Sequence, residues 1–126
     1  MGMVIAIGLG GAVGALARYV LSSQITHLTG PGFPWGILIV NVAGCFIMGV
    51  IAEVGALHWS PTPEMRAFLT TGILGGFTTF SAFALDTAVL TERGDMTGAM
   101  LYVVGSVAGS VAALFFGLYV VRVFSQ

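Results

Sequence analysis

Apolar residues run along this chain in four long blocks, each about as long as a bilayer crossing. A helix needs roughly 20 apolar residues to span the hydrocarbon core. The first block covers residues 3–21, the second 35–57, the third 67–90 and the fourth 97–124. Polar or proline-containing segments separate them: Ser22–Pro34, His58–Arg66 and Thr91–Met96. Pro31 and Pro34 punctuate the first gap, Pro61 and Pro63 the second, and Glu92-Arg93-Gly94-Asp95 forms a polar turn in the third. Trp35 and Trp59 flank the second block, where interfacial aromatic residues belong. The pattern predicts an all-α integral membrane protein, one four-helix domain over residues 1–126.

Composition sharpens that picture. Charged residues make up 7% of the chain, against roughly 25% in soluble domains. So few charges cannot coat a soluble surface, and the mean hydropathy of +1.03 agrees. The solvent is lipid. The net charge of −1 gives no basis for a nucleic-acid partner. The start of the chain has no basic segment of the signal-peptide kind, and Ala6 spoils a myristoylation pattern.

All four basic residues are arginines. An even number of spans puts both ends of the chain on one side, here side A. Arg66 and Arg122 then fall on side A, and Arg18 and Arg93 on side B. Orientation normally follows an Arg/Lys excess on the cytoplasmic side. Two against two is no excess, which predicts insertion both ways up. A single orientation set by something weaker than charge count is the alternative.

The 19 glycines point to close helix packing. Gly10/Gly14 and Gly105/Gly109 each have the GxxxG spacing that lets backbones approach. They suit association with a further subunit or packing within one.

The third block carries the least regular stretch, Leu74-Gly75-Gly76-Phe77-Thr78-Thr79-Phe80-Ser81-Ala82-Phe83. Each glycine costs a helix interior about 1 kcal/mol relative to alanine, and Ser and Thr offer the backbone competing hydrogen bonds. This weakness lies near mid-span. A broken helix there is tolerated only inside protein or beside a wet cavity, where its freed backbone groups can bind ions. A continuous helix with small residues for packing is the alternative. Phe80 and Phe83 share a face of any helix after the break, and an aromatic edge carries partial positive charge that can touch an anion.

Other polar residues lie inside the blocks. Asn41 is about two turns into the second and predicts either an interhelical bond or a donor for an anion. Tyr102, Ser106 and Ser110 recur every four residues in the fourth and form one stripe. No Arg or Lys is expected mid-span, and Arg18, about one turn from the end of the first helix, is expected to snorkel to the interface. Neutral donors without a fixed charge suit conduction rather than tight binding. Glu53 and Asp86 fall near span ends, so a proton-coupling carboxylate is not indicated. His27 and His58 lie in loops without neighbouring ligands. Cys45, the single cysteine, permits no intrachain disulfide and reads as a packing residue. There is no nucleophile–base pair and no phosphate loop, so an enzyme is not expected.

Residues 75–83 resemble the third-helix signature of the Fluc/CrcB fluoride channels. Residues 10–19, Pro34-Trp35-Gly36 with Val40-Asn41, and residues 105–110 are similar to that family's other helices. The resemblance implies a homodimer of antiparallel subunits in the bacterial inner membrane, exporting toxic fluoride through two pores. It implies that Phe80, Phe83, Asn41, Thr79, Tyr102, Ser106 and Ser110 line the path. It implies Arg18 at a pore entrance, and the carbonyls of Gly75 and Thr78 around a structural sodium ion. Three positions depart from the pattern: Ile37 replaces a threonine, Asp86 a glutamate, and Cys45 a small residue. A proton-coupled exporter of the small multidrug type is a second reading. It needs a carboxylate in the first helix, where this chain has none. A non-conducting accessory subunit is a third.

Overall fold

The computed structural model describes residues 2–126. It is all-helical, with four stretches long and apolar enough to cross a membrane. Helix α1 spans Gly2–Thr29 and α2 spans Trp35–Leu57. The third crossing, Pro63–Glu92, comes in two pieces: α3 (63–77) and α4 (Phe80–Glu92). Helix α5 spans Met96–Phe124.

The second span ends where hydropathy placed its ends; the first does not. Residues 22–29, expected as loop, continue α1. The hydroxyl of Thr29 bonds back to the Ile25 carbonyl at 2.9 Å, so a polar side chain need not end the helix. Termination comes from Gly30, at φ 84°, whose N–H bonds to the Thr26 carbonyl at 2.8 Å, and from Pro31 beyond it. A helix of 28 residues is about 42 Å long and outruns a hydrocarbon core of about 30 Å. Hydropathy reported where lipid ends, not where the helix ends.

Helix α3 starts earlier than expected, at Pro63. Thr62 caps it, its hydroxyl accepting the Met65 N–H at 3.1 Å, with Pro63 at the first turn and Glu64 near the positive end. Residues Phe68–Leu74 then widen into π-helical turns. The polar turn before α5 is a tight cap: Asp95 N–H reaches the Leu90 carbonyl and Gly94 N–H the Thr91 carbonyl, both at 3.0 Å. The Asp95 carboxylate then accepts the Gly98 N–H at 2.8 Å and starts α5.

Two glycine seams hold the bundle. On one, α1 packs against α3, and a Cβ on Gly10 would lie 3.0 Å from the Gly72 Cα. On the other, α2 packs against α5, and Cβ atoms on Gly49 or Gly117 would run into backbone of the facing helix. At this separation only glycine fits. Gly10 and Gly14 thus serve packing within one subunit. A Cβ on Gly105 would meet no other described element within 4 Å.

The third crossing changes partners along its length. Its first piece lies on α1, and its second lies mainly on α5. Between them the chain passes over α2, and there the helix is broken.

Candidate functional site

The break is at Thr78 and Thr79, both extended (φ −83°, ψ 154° and φ −151°, ψ 119°). Of the residues expected to weaken the helix, the two threonines leave it, while Gly75 and Gly76 remain helical. Gly76 is instead a packing residue, since a Cβ there would lie 2.6 Å from the Gly11 carbonyl oxygen.

Asn41 holds the break open. Its amide oxygen accepts the Thr79 N–H at 2.8 Å, and its amide nitrogen donates to the Thr79 carbonyl at 3.1 Å. In a continuous helix the Thr79 N–H would go to the Gly75 carbonyl. The amide of Asn41 substitutes for helix on both sides of one residue. Thr79 then caps α4, its hydroxyl accepting the Ala82 N–H at 3.1 Å.

Beneath the break lies a groove of about 310 Å³. Asn41 and Cys45 open into it from α2, Ser106 and Ser110 from α5, and Thr78, Thr79, Phe80 and Phe83 from the broken crossing. No charged side chain lines it among the described residues. The rings of Phe80 and Phe83 stand 5.4 Å apart at 50°, and Phe80 is 78% exposed. The Ser106 hydroxyl is buried and has no hydrogen-bond partner among the described residues. The N-terminus of α4 meets this groove at Phe80, bringing partial positive charge to it.

The family profile for CrcB-like, camphor-resistance (CrcB) proteins matches residues 5–118. The fluoride-specific ion channel FluC of Rhodospirillum centenum is 50% identical over 122 residues, 97% of each chain. That of Chelativorans sp. is 53% identical over 114 residues, covering 90% of this chain and 91% of the relative. That of Rhizobium leguminosarum bv. trifolii is 50% identical over 116 residues, covering 92% and 93%. This chain belongs to the CrcB family.

The CrcB-type stripe of the fourth span divides in the structure. Ser106 and Ser110 reach the groove, but Tyr102 is fully buried and does not line it. Its ring packs 5.2 Å from Phe83 and edge-on to Phe33 at 5.6 Å. Its hydroxyl donates to the Asp86 carboxylate at 3.0 Å, tying α4 to α5. Asp86 and Ile37, two of the departures, line a different cavity of about 570 Å³ at the side-B end. His27 lines that cavity from inside α1, not from a loop. At the opposite end Glu53, 8% exposed, pairs with Arg122 at 3.0 Å, and His58 bonds to Ser125.

Arg18 corrects two expectations. Because α1 runs on to Thr29, Arg18 is 29 − 18 = 11 residues from its end, roughly 16 Å along the axis. It does not snorkel: its Nε donates to the Gly76 carbonyl at 3.1 Å. A continuous helix would give that carbonyl to the Phe80 N–H. A cation at the C-terminal end of α3 also complements the helix dipole. Arg18 and Asn41 therefore hold the break from opposite sides. A charge-assisted hydrogen bond of this kind contributes about 1.5–3 kcal/mol. Arg18→Ala is expected to lower the thermal midpoint in detergent accordingly; an unchanged midpoint would show that the bond carries no stability.

Cys45 is the groove residue that sequence reasoning set aside. Its signal was present: it lies four residues after Asn41 and so shares its helix face.

Proposed function

We propose that this chain conducts fluoride passively across the bacterial inner membrane, exporting the toxic anion through two pores of an antiparallel homodimer. It is a channel of the CrcB family and not an enzyme. The observation that carries the reading is the groove at the break. It combines the positive end of α4, the rings of Phe80 and Phe83 and the bordering Ser106, with no charged side chain among the described lining residues to trap the ion. The relatives, which carry the name of fluoride-specific channels, supply the identity of the anion.

In this reading Phe80, Phe83, Thr79, Ser106 and Ser110 line the path. Asn41 offers its remaining amide N–H while holding the break. Tyr102 supports Phe83 and takes its polar role through Asp86, and Arg18 provides positive charge towards an entrance.

The break also suits a structural sodium ion. The Gly75 carbonyl has lost the Thr79 N–H to Asn41, Gly75 is exposed, and Thr78 keeps its N–H bond to the Leu74 carbonyl at 2.9 Å while its extended ψ of 154° turns its own carbonyl out of the helical direction. Neutral backbone oxygens are the donors a hard cation takes. Gly75 and Thr78 from each of two copies would hold it, and it would join the copies. Inversion of the second copy is favoured by a weak charge bias. Arg66 and Arg122 on side A are balanced by Arg18 and Arg93 on side B.

The test is efflux from liposomes holding the purified protein, with fluoride as the ion and chloride as control. Fluoride efflux without a proton gradient, and little chloride efflux, is expected. Folded protein that releases no fluoride overturns the reading, and a requirement for a pH gradient points to an exporter. Aromatic contacts contribute about 0.5–1.5 kcal/mol. Phe80→Ile and Phe83→Ile should therefore each slow efflux by up to about tenfold, and full rates in both would refute the aromatic-edge role.

A further inference from the structure

Cys45 carries a free thiol, partly buried, one helical turn beyond Asn41 on α2. It opens into the groove beneath the break. Ser106 lines the same groove from α5; it is only 5% exposed, and its hydroxyl has no partner. A buried hydroxyl left unpaired costs about 1–3 kcal/mol, and this one belongs to a residue that borders the groove. The space of about 310 Å³ exceeds that of a single water, roughly 30 Å³ in the liquid. Ser106 and Cys45 border the same space. A cysteine reacts when its thiol can be reached by the reagent, and the open side of Cys45 is the groove.

We infer that Cys45 is a thiol-modification site inside the ion path, so that a small group attached to it closes conduction by this chain. The inference rests on reading the groove as the fluoride path. The reagent class is a small electrophilic sulfur compound. With methyl methanethiosulfonate, the Cys45 thiol loses its proton to buffer, and its sulfur attacks the methylthio sulfur. A disulfide forms there as the S–SO₂ bond breaks, and methanesulfinate leaves with the electron pair. Cysteine sulfur is oxidised and the sulfonyl sulfur is reduced. The added methylthio group takes the volume of about two waters and presents no hydrogen-bond donor to an anion. A thiol reductant removes it.

The single cysteine makes the labelling site-specific. The experiment treats the folded protein in liposomes with methyl methanethiosulfonate and measures fluoride efflux and intact mass. Cys45→Ala and Cys45→Ser are each compared with their own untreated preparations. Treated parent protein should gain one methylthio group and lose efflux by about tenfold or more, the effect of an apolar constriction in a conducting path. Reductant should restore both mass and rate, and neither variant should respond to the reagent. A full adduct with unchanged efflux would place the thiol outside the path. A thiol that labels only after denaturation would show that the groove does not admit the reagent. Either outcome overturns the inference. If untreated protein carries no fluoride, the channel reading fails by itself. Labelling of the folded protein, scored by mass, still decides whether the thiol is reachable.

Discussion

Asn41→Ala should abolish fluoride efflux, because it removes the side chain that stands in for helix at the break. Both hydrogen bonds to Thr79 go at once, one to its N–H and one to its carbonyl. Each group left unpaired in the interior costs about 1–3 kcal/mol, and lipid offers no replacement partner. The least costly repair is for the Thr79 N–H to return to the Gly75 carbonyl and continue the helix. That repair takes away the carbonyl proposed for the sodium ion and withdraws the end of α4 from the groove. The loss should be on the order of a hundredfold or more, the equivalent of about 2.7 kcal/mol or above. Asn41→Asp keeps the acceptor for the Thr79 N–H but loses the donor and adds negative charge beside the path. It should retain more stability than Asn41→Ala yet conduct poorly. Efflux from liposomes and melting in detergent separate the two effects. Full conduction by Asn41→Ala would mean that the break holds itself open.

Gly14→Val should fail to give a folded subunit. A Cβ at Gly14 would run into the Ile73 carbonyl oxygen and lie 2.8 Å from the Phe77 nitrogen. Both are backbone atoms, so no rotamer change relieves the clash. Overpacking usually costs about 1–3 kcal/mol; here α1 and α3 must separate along the whole seam, so the loss should exceed that range. Arg18 would then be drawn away from the Gly76 carbonyl, coupling the fault to the break. Gly8→Ala is the comparison, since no described atom lies within 4 Å of a Cβ there. It should fold normally and raise stability by up to about 1 kcal/mol, the helix-propensity gain of alanine over glycine. Size-exclusion profiles and thermal midpoints of the two variants test the contrast. A monodisperse, stable Gly14→Val protein would show that the seam is looser than its backbone distances indicate.

Chain patterning alone established the all-helical membrane class, the count of four crossings and the limits of α2. These are set by apolar length against bilayer thickness, a local property. It also marked the third crossing as weak and brought forward Asn41, Phe80, Phe83, Ser106 and Ser110, because polar or aromatic residues inside apolar blocks stand out one at a time. Where the weakness becomes a break was decided by packing. Gly75 and Gly76 are poor helix formers in isolation, yet they stay helical because Gly76 admits α1 closely. Thr78 and Thr79 leave the helix because a side chain 38 residues away bonds Thr79 on both sides. Arg18 was assigned to an interface by its distance from the end of the apolar block. Its place beside Gly76 followed from a helix that outlasts that block and a partner 58 residues distant. Cys45 faces the groove and Tyr102 is buried beside it for the same reason: helical spacing tells which residues share a face, and only the neighbouring helices decide whether that face meets a groove or a core. Apolar length and the scarcity of charge were enough to set the solvent and the number of crossings. The tertiary structure decided which backbone groups at the break stay paired, since that depends on contacts between segments far apart in the chain.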